Sequence, residues 1–274
     1  MDINFATPAN ICLYCDTDFE QSKIDNLATF LKRYFLRSII IVQKNFFSYW
    51  LQQYSALEEK IYYLAKKLAQ FRVHHPKKKV NYTRNPLLGE INFELKFLRS
   101  DSIKPRGVIY DGVQVMKICS ELITPDESTW EYCHIIITNQ LLGTWDENDG
   151  RYHIRVSIYG FPSIISTSGI IEGPAKPREY YLGLILAPDQ KFLKNDSNLR
   201  SLEHGDPRIL EVTKGYLLQA LFYHLTGDPF CNNRDCRLFN AHWQEEMFYA
   251  QLRPGADLCD VHYQILNTAL GKKI

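Results

Sequence analysis

Apolar and polar positions at the start of the chain predict a β-α-β unit. The runs NICLYCD (10 to 16) and SIIIVQ (38 to 43) are short and mostly apolar, which is typical of strands. Between them, SKIDNLATFLKRYF has apolar residues at helical spacing. A helix that joins two strands in this way favours a parallel pair. Residues 55 to 71 (SALEEKIYYLAKKLAQF) then predict a second helix, with a charged face opposite an apolar face.

From residue 131 the pattern changes to strand signals. EYCHIIITNQLL (131 to 142), RYHIRVSIYG (151 to 160) and SIISTSG (163 to 169) are rich in β-forming residues. The acidic and glycine-containing segment TWDENDG (144 to 150) separates the first two runs and indicates a hairpin connection. We therefore expect this part of the chain to add strands to the sheet, some of them antiparallel.

Helical signals close the chain. Residues 207 to 227 predict a long helix, since Pro207 suits a first helical turn and Gly227 suits a helix end. Two shorter helices are predicted at residues 239 to 252 and 259 to 270. We find no linker, internal repeat or low-complexity tract, so the prediction is a single α/β domain over residues 1 to 274.

Charge and composition exclude some classes of partner. The chain has 32 Lys and Arg against 31 Asp and Glu, so its net charge of +1 gives no general attraction to nucleic acid or to an anionic membrane. No apolar run of about 18 residues is present, and the first residues lack the layout of a secretion signal. We expect a soluble, cytoplasmic protein without a membrane partner.

The loop at residues 73 to 86 (VHHPKKKVNYTRNP) is locally basic. Its three consecutive lysines, Lys77, Lys78 and Lys79, could contact phosphate groups. A solvated surface loop accounts for the same residues in a chain whose total charge is balanced. Nucleic-acid binding is therefore kept only as a weaker alternative.

The cysteines suggest a metal site. Their number is seven, an odd count that argues against a disulfide framework in a reducing cytosol. Four of them fall in apolar segments, where core packing explains them: Cys12, Cys15, Cys119 and Cys133. The other three fall in two short segments near the carboxyl end.

Two pairs of soft ligands lie in these segments. Four residues separate Cys231 from Cys236, and the later CDVH (259 to 262) contributes Cys259 and His262. A closed tetrahedral zinc site can be built from two such pairs, because each pair can occupy one edge of the tetrahedron from a tight turn. We predict one structural Zn²⁺ on these four residues. The alternatives are that the cysteines are buried as small apolar side chains and that His262 faces solvent.

The segment HLTGDPFCNNRDC (224 to 236), which follows the long predicted helix, resembles the archaemetzincins, a family of zinc-dependent peptidases of the metzincin type. Their signature is H-E-x-x-H-x-x-G-x-x-H-C-x-x-x-x-C-x-M, with a later C-x-x-C. An alignment without gaps places the second zinc-binding histidine on His224, the glycine on Gly227 and the paired cysteines on Cys231 and Cys236. The later pair falls on Cys259 and His262.

The resemblance covers roughly residues 107 to 270 and implies a fold. It implies a metzincin-like mixed sheet, a long helix of the active-site type and a helical carboxyl-terminal part that is cross-linked by a bound zinc ion. Residues 1 to 105 would be a β-α-β amino-terminal part, and residues 106 to 274 an archaemetzincin-like core. The resemblance also suggests an archaeal-type cytosolic protein.

The departures from the signature concern the hydrolytic centre. Ala220 stands at the first histidine, Leu221 at the catalytic glutamate and Phe230 at the third histidine; the methionine is replaced by Leu238. A catalytic zinc needs three protein ligands, an open position and a carboxylate as general base. Only His224 remains of these four groups. By this alignment the chain is a degenerate member without catalytic residues.

A different ligand set could replace the lost one. His242, Glu245 and Glu246 in NAHWQEEM lie just beyond the cysteines and could join His224 in a site of two histidines and one carboxylate. Solvated surface side chains explain the same residues, and a hydrogen-bonded histidine near the old cleft explains His224.

Two hypotheses for function follow. The first is a non-catalytic archaemetzincin-like zinc protein, or pseudopeptidase, that binds a protein or peptide partner or supports assembly. Addition of a peptide to an edge strand needs no metal, so peptide binding could be retained after catalytic activity is lost. The second is an active zinc metallopeptidase with a rearranged ligand set around His224 and His242.

Overall fold

The computed structural model describes residues 6 to 16, 19 to 100, 102 to 176 and 201 to 271. A short 3-10 helix, Pro125–Glu127, precedes the fourth strand. The strands and α-helices within the described residues follow one another in this order: β1 (Asn10–Asp16), α1 (Gln21–Tyr34), β2 (Ile39–Gln43), α2 (Phe46–Leu51), α3 (Leu57–Gln70), α4 (Leu88–Leu98), β3 (Ile109–Asp111), α5 (Gly112–Ser120), β4 (Tyr132–Thr138), β5 (Leu141–Asp146), β6 (Arg151–Arg155), β7 (Ser157–Ile158), β8 (Ser163–Ser166), α6 (Thr167–Glu172), α7 (Arg208–Thr226), α8 (Gln244–Leu252) and α9 (Asp260–Ala269).

The strands form two mixed sheets. The larger has the order β2-β1-β4-β8-β7, in which all neighbours are parallel except β7 and β8. The smaller has the order β3-β5-β6, with β3 parallel and β6 antiparallel to β5. The predicted α/β class with a mixed sheet is confirmed.

The larger sheet separates two apolar cores. Successive side chains of a strand point to opposite faces, and β1 shows this directly. Ile11 and Leu13 pack into a core shared with α1, α7 and α9, whereas Cys12 and Tyr14 pack into a core shared with α2 to α5. The central strands are thus covered by helices on both faces, as parallel strands require.

Several elements match the sequence prediction closely. The structure has β1 at the predicted residues, and it has α1, α3 and α7 within a few residues of their predicted bounds. Gly227 ends α7 with a φ of 77°, the left-handed conformation that favours glycine at a helix end. Within the described residues, no helix has both the length and the apolar character needed to cross a bilayer.

Three predicted segments are divided differently. Residues 131 to 142 form two strands in different sheets, because Asn139 and Gln140 turn inward and donate to the carbonyl oxygen of Lys104. Residues 163 to 169 form β8 and then the start of α6, whose first turn is capped by Ser166 accepting from the Gly169 N–H. Residues 239 to 243 precede α8 rather than belong to it.

The basic loop at residues 73 to 86 contains no helix or strand, as predicted. It is tied to the protein by acidic partners. Lys79 pairs with Glu147, and Arg84 pairs with Glu90, which also contacts His74. These ion pairs neutralise part of the positive charge that phosphate groups would need.

Candidate metal centre and adjoining cleft

Four side chains from two segments converge near the carboxyl end. Cys231 and Cys236 lie in the loop between α7 and α8, Cys259 is the N-cap residue of α9, and His262 lies in the first turn of that helix. Their ligand atoms all lie within 4.8 Å of one another. We call these four residues the metal cluster.

The spacing of the metal cluster fits zinc. A tetrahedral ion with Zn–S bonds of about 2.3 Å and Zn–N bonds of about 2.0 Å places neighbouring ligand atoms roughly 3.5 to 3.8 Å apart. The two sulfurs of Cys231 and Cys259 are 3.9 Å apart, and Cys236 Sγ is 3.8 Å from His262 Nδ1. The distance from Cys259 Sγ to the same nitrogen is shorter, at 3.1 Å. Three thiols and one imidazole are a donor set that structural zinc sites use.

Backbone N–H groups surround the sulfurs. The N–H of Asn233 donates to Cys231 Sγ over 3.3 Å, and the N–H groups of Leu238 and Cys259 donate to Cys236 Sγ over 3.5 and 3.4 Å. Such donors stabilise a thiolate. Burial acts in the opposite direction and raises the pKa of the Cys236 thiol to about 12. A bound dication would outweigh burial and hold the sulfur as a thiolate.

The positions aligned with the hydrolytic residues of the archaemetzincin signature lie in different surroundings. Ala220 and Leu221 are fully buried in the core. The Nε2 atom of His224 lies 2.7 Å from the Trp130 carbonyl oxygen, and burial lowers the pKa of this histidine, which keeps it neutral at pH 7. Phe230 is 37% exposed.

The residues of the alternative ligand set are also apart. Glu246 caps the start of α8, since its carboxylate accepts from the N–H groups of His242 and Trp243 over 2.9 and 3.0 Å. Across the described ranges, two groups of three or more potential ligands come within reach of one ion. Neither group includes His224, His242, Glu245 or Glu246.

The second of these groups is a buried hydrogen-bonded network. Cys12 and His134 are opposite each other on β1 and β4, and Glu127 lies nearby. The Tyr14 hydroxyl donates to His134 Nδ1 over 3.0 Å, and His134 Nε2 lies 3.1 Å from the Glu127 carbonyl oxygen. Burial lowers the pKa of His134 to about 4 and raises the pKa of Cys12 to about 12. Both ring nitrogens therefore have protein partners, and the histidine is neutral.

A cleft of about 530 Å³ lies beside the metal cluster. Residues 154 to 159, which run from the end of β6 to just past β7, form one wall, and Tyr216 and Tyr223 of α7 form a second. Residues 229 to 230 and 240 to 242 form a third wall. Because 229 to 242 also carry Cys231 and Cys236, we call them the cysteine loop.

Aromatic rings and one amide organise the cleft. The Tyr159 ring stacks on Tyr223 at 6.0 Å between centroids and meets Phe230 edge-on at 5.7 Å. The Tyr159 hydroxyl donates to Gln219 Oε1 over 2.5 Å, and Gln219 Nε2 donates to the Phe239 carbonyl oxygen over 3.2 Å. Sequence reasoning singled out Phe230 but did not identify Tyr159, Gln219, Tyr223 or Phe239. The available signal was the spacing of Tyr216, Gln219 and Tyr223, which places them on one helical face.

Comparison with known proteins supplies the family. The model of a group described as "probable metallopeptidase family (DUF6775)" matches residues 7 to 269. The chain belongs to this family. None of the curated proteins matches it.

Two solved structures are similar to this family member at low identity. An archaemetzincin from Methanopyrus kandleri is 11% identical, with 96% of each chain covered and a TM-score of 0.47. A zinc-dependent peptidase from Methanocorpusculum labreanum is 12% identical, with 94% of this chain and 100% of that chain covered and a TM-score of 0.42. Membership confirms the expected metallopeptidase-like family, and the loss of catalysis stays a prediction.

Proposed function

We propose that this family member is a non-catalytic zinc protein that binds an extended peptide in its cleft. The observation that supports this most directly is the chemistry of the cleft lining. Among the described residues that line it, His242 is the one histidine, and there is no carboxylate and no thiol. A hydrolytic zinc needs three protein ligands and a general base, and this lining does not provide them.

The zinc part of the proposal rests on the metal cluster. Its four ligands leave no open position for a water or a substrate, which is the arrangement of a structural site. Cys231, Cys236, Cys259 and His262 would hold the ion, which would tie the cysteine loop to α9. A bound ion supplies folding energy in such sites.

The peptide part rests on the cleft wall. Among the residues that the structure describes, β7 is the last strand of the five-stranded sheet, so one of its edges is not paired within that sheet. An extended peptide can add to such an edge through main-chain hydrogen bonds, and neighbouring pockets then select its side chains. Tyr159, Tyr223 and Phe230 offer rings for those side chains.

Metal counting and a hydrolysis assay test the non-catalytic part. Purified protein should contain about one zinc per chain by elemental analysis. Incubation with casein should give no cleavage above the rate of a heat-denatured sample. Two zinc ions per chain, together with casein cleavage that a chelator abolishes without unfolding the protein, would contradict the proposal and support an active peptidase.

A library of random seven-residue peptides tests the binding part. Peptides selected on the protein should slow amide exchange in β7 (Ser157–Ile158), since a strand added to its open edge bonds the N–H group that points there. Phe230→Ala should weaken the selected peptides by about tenfold, because it removes an aromatic contact at the cleft. Tyr62→Ala is the matched control, since Tyr62 is exposed on α3 and does not line the cleft. Selected peptides that protect other strands instead would contradict the cleft assignment.

A further inference from the structure

We infer that zinc occupancy of the metal cluster controls the peptide cleft, because the two sites share a segment of chain. The inference rests on the proposed function and adds its regulation. It concerns the cysteine loop (residues 229 to 242) and its links to the two other walls of the cleft.

The cysteine loop serves both sites at once. Pro229 and Phe230 line the cleft and directly precede Cys231. Asn240, Ala241 and His242 line it again, four to six residues after Cys236. Any displacement of the two cysteines therefore moves a wall of the cleft.

The part of the loop between the cysteines is attached to α8: the Tyr249 hydroxyl donates to Asp235 Oδ1 over 2.7 Å, and Arg234 lies over the Tyr249 ring. These contacts do not reach α9. The side chains at residues 232 to 235 are exposed and contribute almost no apolar burial. A backbone bond from the Cys231 N–H to the Leu238 carbonyl oxygen closes the loop at 2.9 Å. Cys236 and Asp257 form a single β-bridge to the segment before α9. The ligands Cys259 and His262 thus provide the main attachment of the loop to α9 when an ion is bound.

A chain of hydrogen bonds connects the cysteine loop to the wall formed by residues 154 to 159. Phe239 follows Cys236 by three residues, and its carbonyl oxygen accepts from Gln219 Nε2. The Oε1 atom of the same Gln219 side chain accepts a hydrogen bond from the Tyr159 hydroxyl. Gln219 is 1% exposed, so water cannot easily replace either partner. Because a buried amide left unpaired is unfavourable, movement of Phe239 should also shift Gln219 and Tyr159.

Loss of zinc is therefore expected to loosen the wall at residues 157 to 160 as well as the cysteine loop itself. The ring contacts of Tyr159 with Tyr223 and Phe230 also join the three walls, but rings can slide past one another, so we expect the hydrogen-bonded chain to transmit most of the movement. The peptide-binding form of the cleft would be the zinc-loaded form.

Hydrogen–deuterium exchange of the full chain, loaded with Zn²⁺ alone or stripped with a chelator, tests the coupling without any peptide. In the wild type, stripping should raise exchange by about tenfold at residues 157 to 160 and in the cysteine loop. Tyr159→Phe keeps the ring and removes the hydroxyl donor. In this variant, stripping should affect the cysteine loop but change residues 157 to 160 by less than about twofold. Tyr223→Phe is the matched control and should behave as the wild type, since its hydroxyl is outside this hydrogen-bonded chain.

The possible outcomes distinguish a failure of this inference from a failure of the proposed function. If zinc binds and its removal leaves exchange at residues 157 to 160 unchanged, the coupling is wrong and the proposed function stands. If no zinc binds, both are wrong. If stripping raises exchange equally in β1 and β4, the ion supports the whole fold, and local control of the cleft is overturned.

Discussion

The Nε2 atom of His224 lies 2.7 Å from the carbonyl oxygen of Trp130, in the segment that leads into β4. The residues that line the cleft include Phe230 but neither His224 nor Ala220. The positions that align with the archaemetzincin signature thus differ in their surroundings: Ala220 and Leu221 are buried in the core, whereas Phe230 lines the cleft. We therefore expect that reinstating the signature residues alone does not create a second metal site.

The triple variant Ala220→His, Leu221→Glu and Phe230→His tests this arrangement. We expect it to be destabilised by more than about 3 kcal/mol, because its first two changes bury an imidazole and a carboxylate in an apolar core. Urea unfolding and elemental analysis provide the measurements, and the zinc content should stay near one per chain. Phe230→His alone, at a partly exposed position, should unfold close to the wild-type midpoint. A second bound ion in a stable triple variant would show that the signature positions do converge.

Removal of one cluster ligand should release the ion. We expect Cys236→Ser to lose its zinc and to unfold at a lower temperature than the wild type, since metal binding contributes folding energy. Calorimetry and elemental analysis on the same sample check this. Cys119→Ala changes another buried thiol, one outside the metal cluster, and should keep its zinc. An unchanged melting temperature and an unchanged zinc content in Cys236→Ser would refute the cluster.

Acid should destabilise the fold through His134. Burial lowers its pKa to about 4 in the folded state, against about 6.5 in the unfolded chain. The unfolded state therefore binds the proton more readily, so stability is full above pH 6.5 and decreases as the pH falls towards 4. The loss should approach about 3 kcal/mol.

Urea unfolding between pH 7 and 4 measures this effect by comparison with His134→Gln, which can still accept from Tyr14. The variant should lose less stability over the same range. Glu127, whose pKa burial raises, acts in the opposite direction in both proteins, so the difference between them isolates His134. Parallel pH curves would exclude the histidine as the cause.

A buried carboxylate on α4 should be important for stability. Glu94 has no exposed side-chain surface and accepts from Arg72, Lys104 and Tyr110. Glu94→Gln should cost about 3 to 5 kcal/mol, because it leaves two cations with a neutral partner. Glu58→Gln removes an exposed partner of Arg99 and should leave the urea midpoint almost unchanged. Equal effects of the two variants would contradict this difference in burial.

Local sequence patterns were sufficient to predict the helices and strands whose formation depends on residues close together in the sequence. The β1, α1, α3 and α7 segments carry long apolar patterns, and Gly227 marks a helix end by its own conformational freedom. The metal cluster was also predictable, because each ligand pair is close in sequence and only one further contact between pairs is needed. No such pattern was recognised for α2, α4, α5 and α6.

Relations between distant residues could not be predicted in this way. The cleft depends on Tyr159, Gln219 and Phe239, which are brought together by the packing of β7, α7 and the cysteine loop. The division of residues 131 to 142 into two sheets depends on a carbonyl group at Lys104, far away in the sequence. The alignment singled out Phe230, but its edge-on contact with Tyr159 depends on how the cysteine loop packs against the segment after β7.

The pairing of β1 with β4 has a consequence for synthesis of the chain. Residues Asn10 to Asp16 meet Tyr132 to Thr138 over seven register positions, so more than a hundred further residues must be synthesised after β1 before its neighbour β4 exists. Until then its edge is open, and nascent chains with such edges are prone to misassociate. Slower translation or a chaperone that shields this edge should therefore raise the yield of native protein more than changes near the carboxyl end.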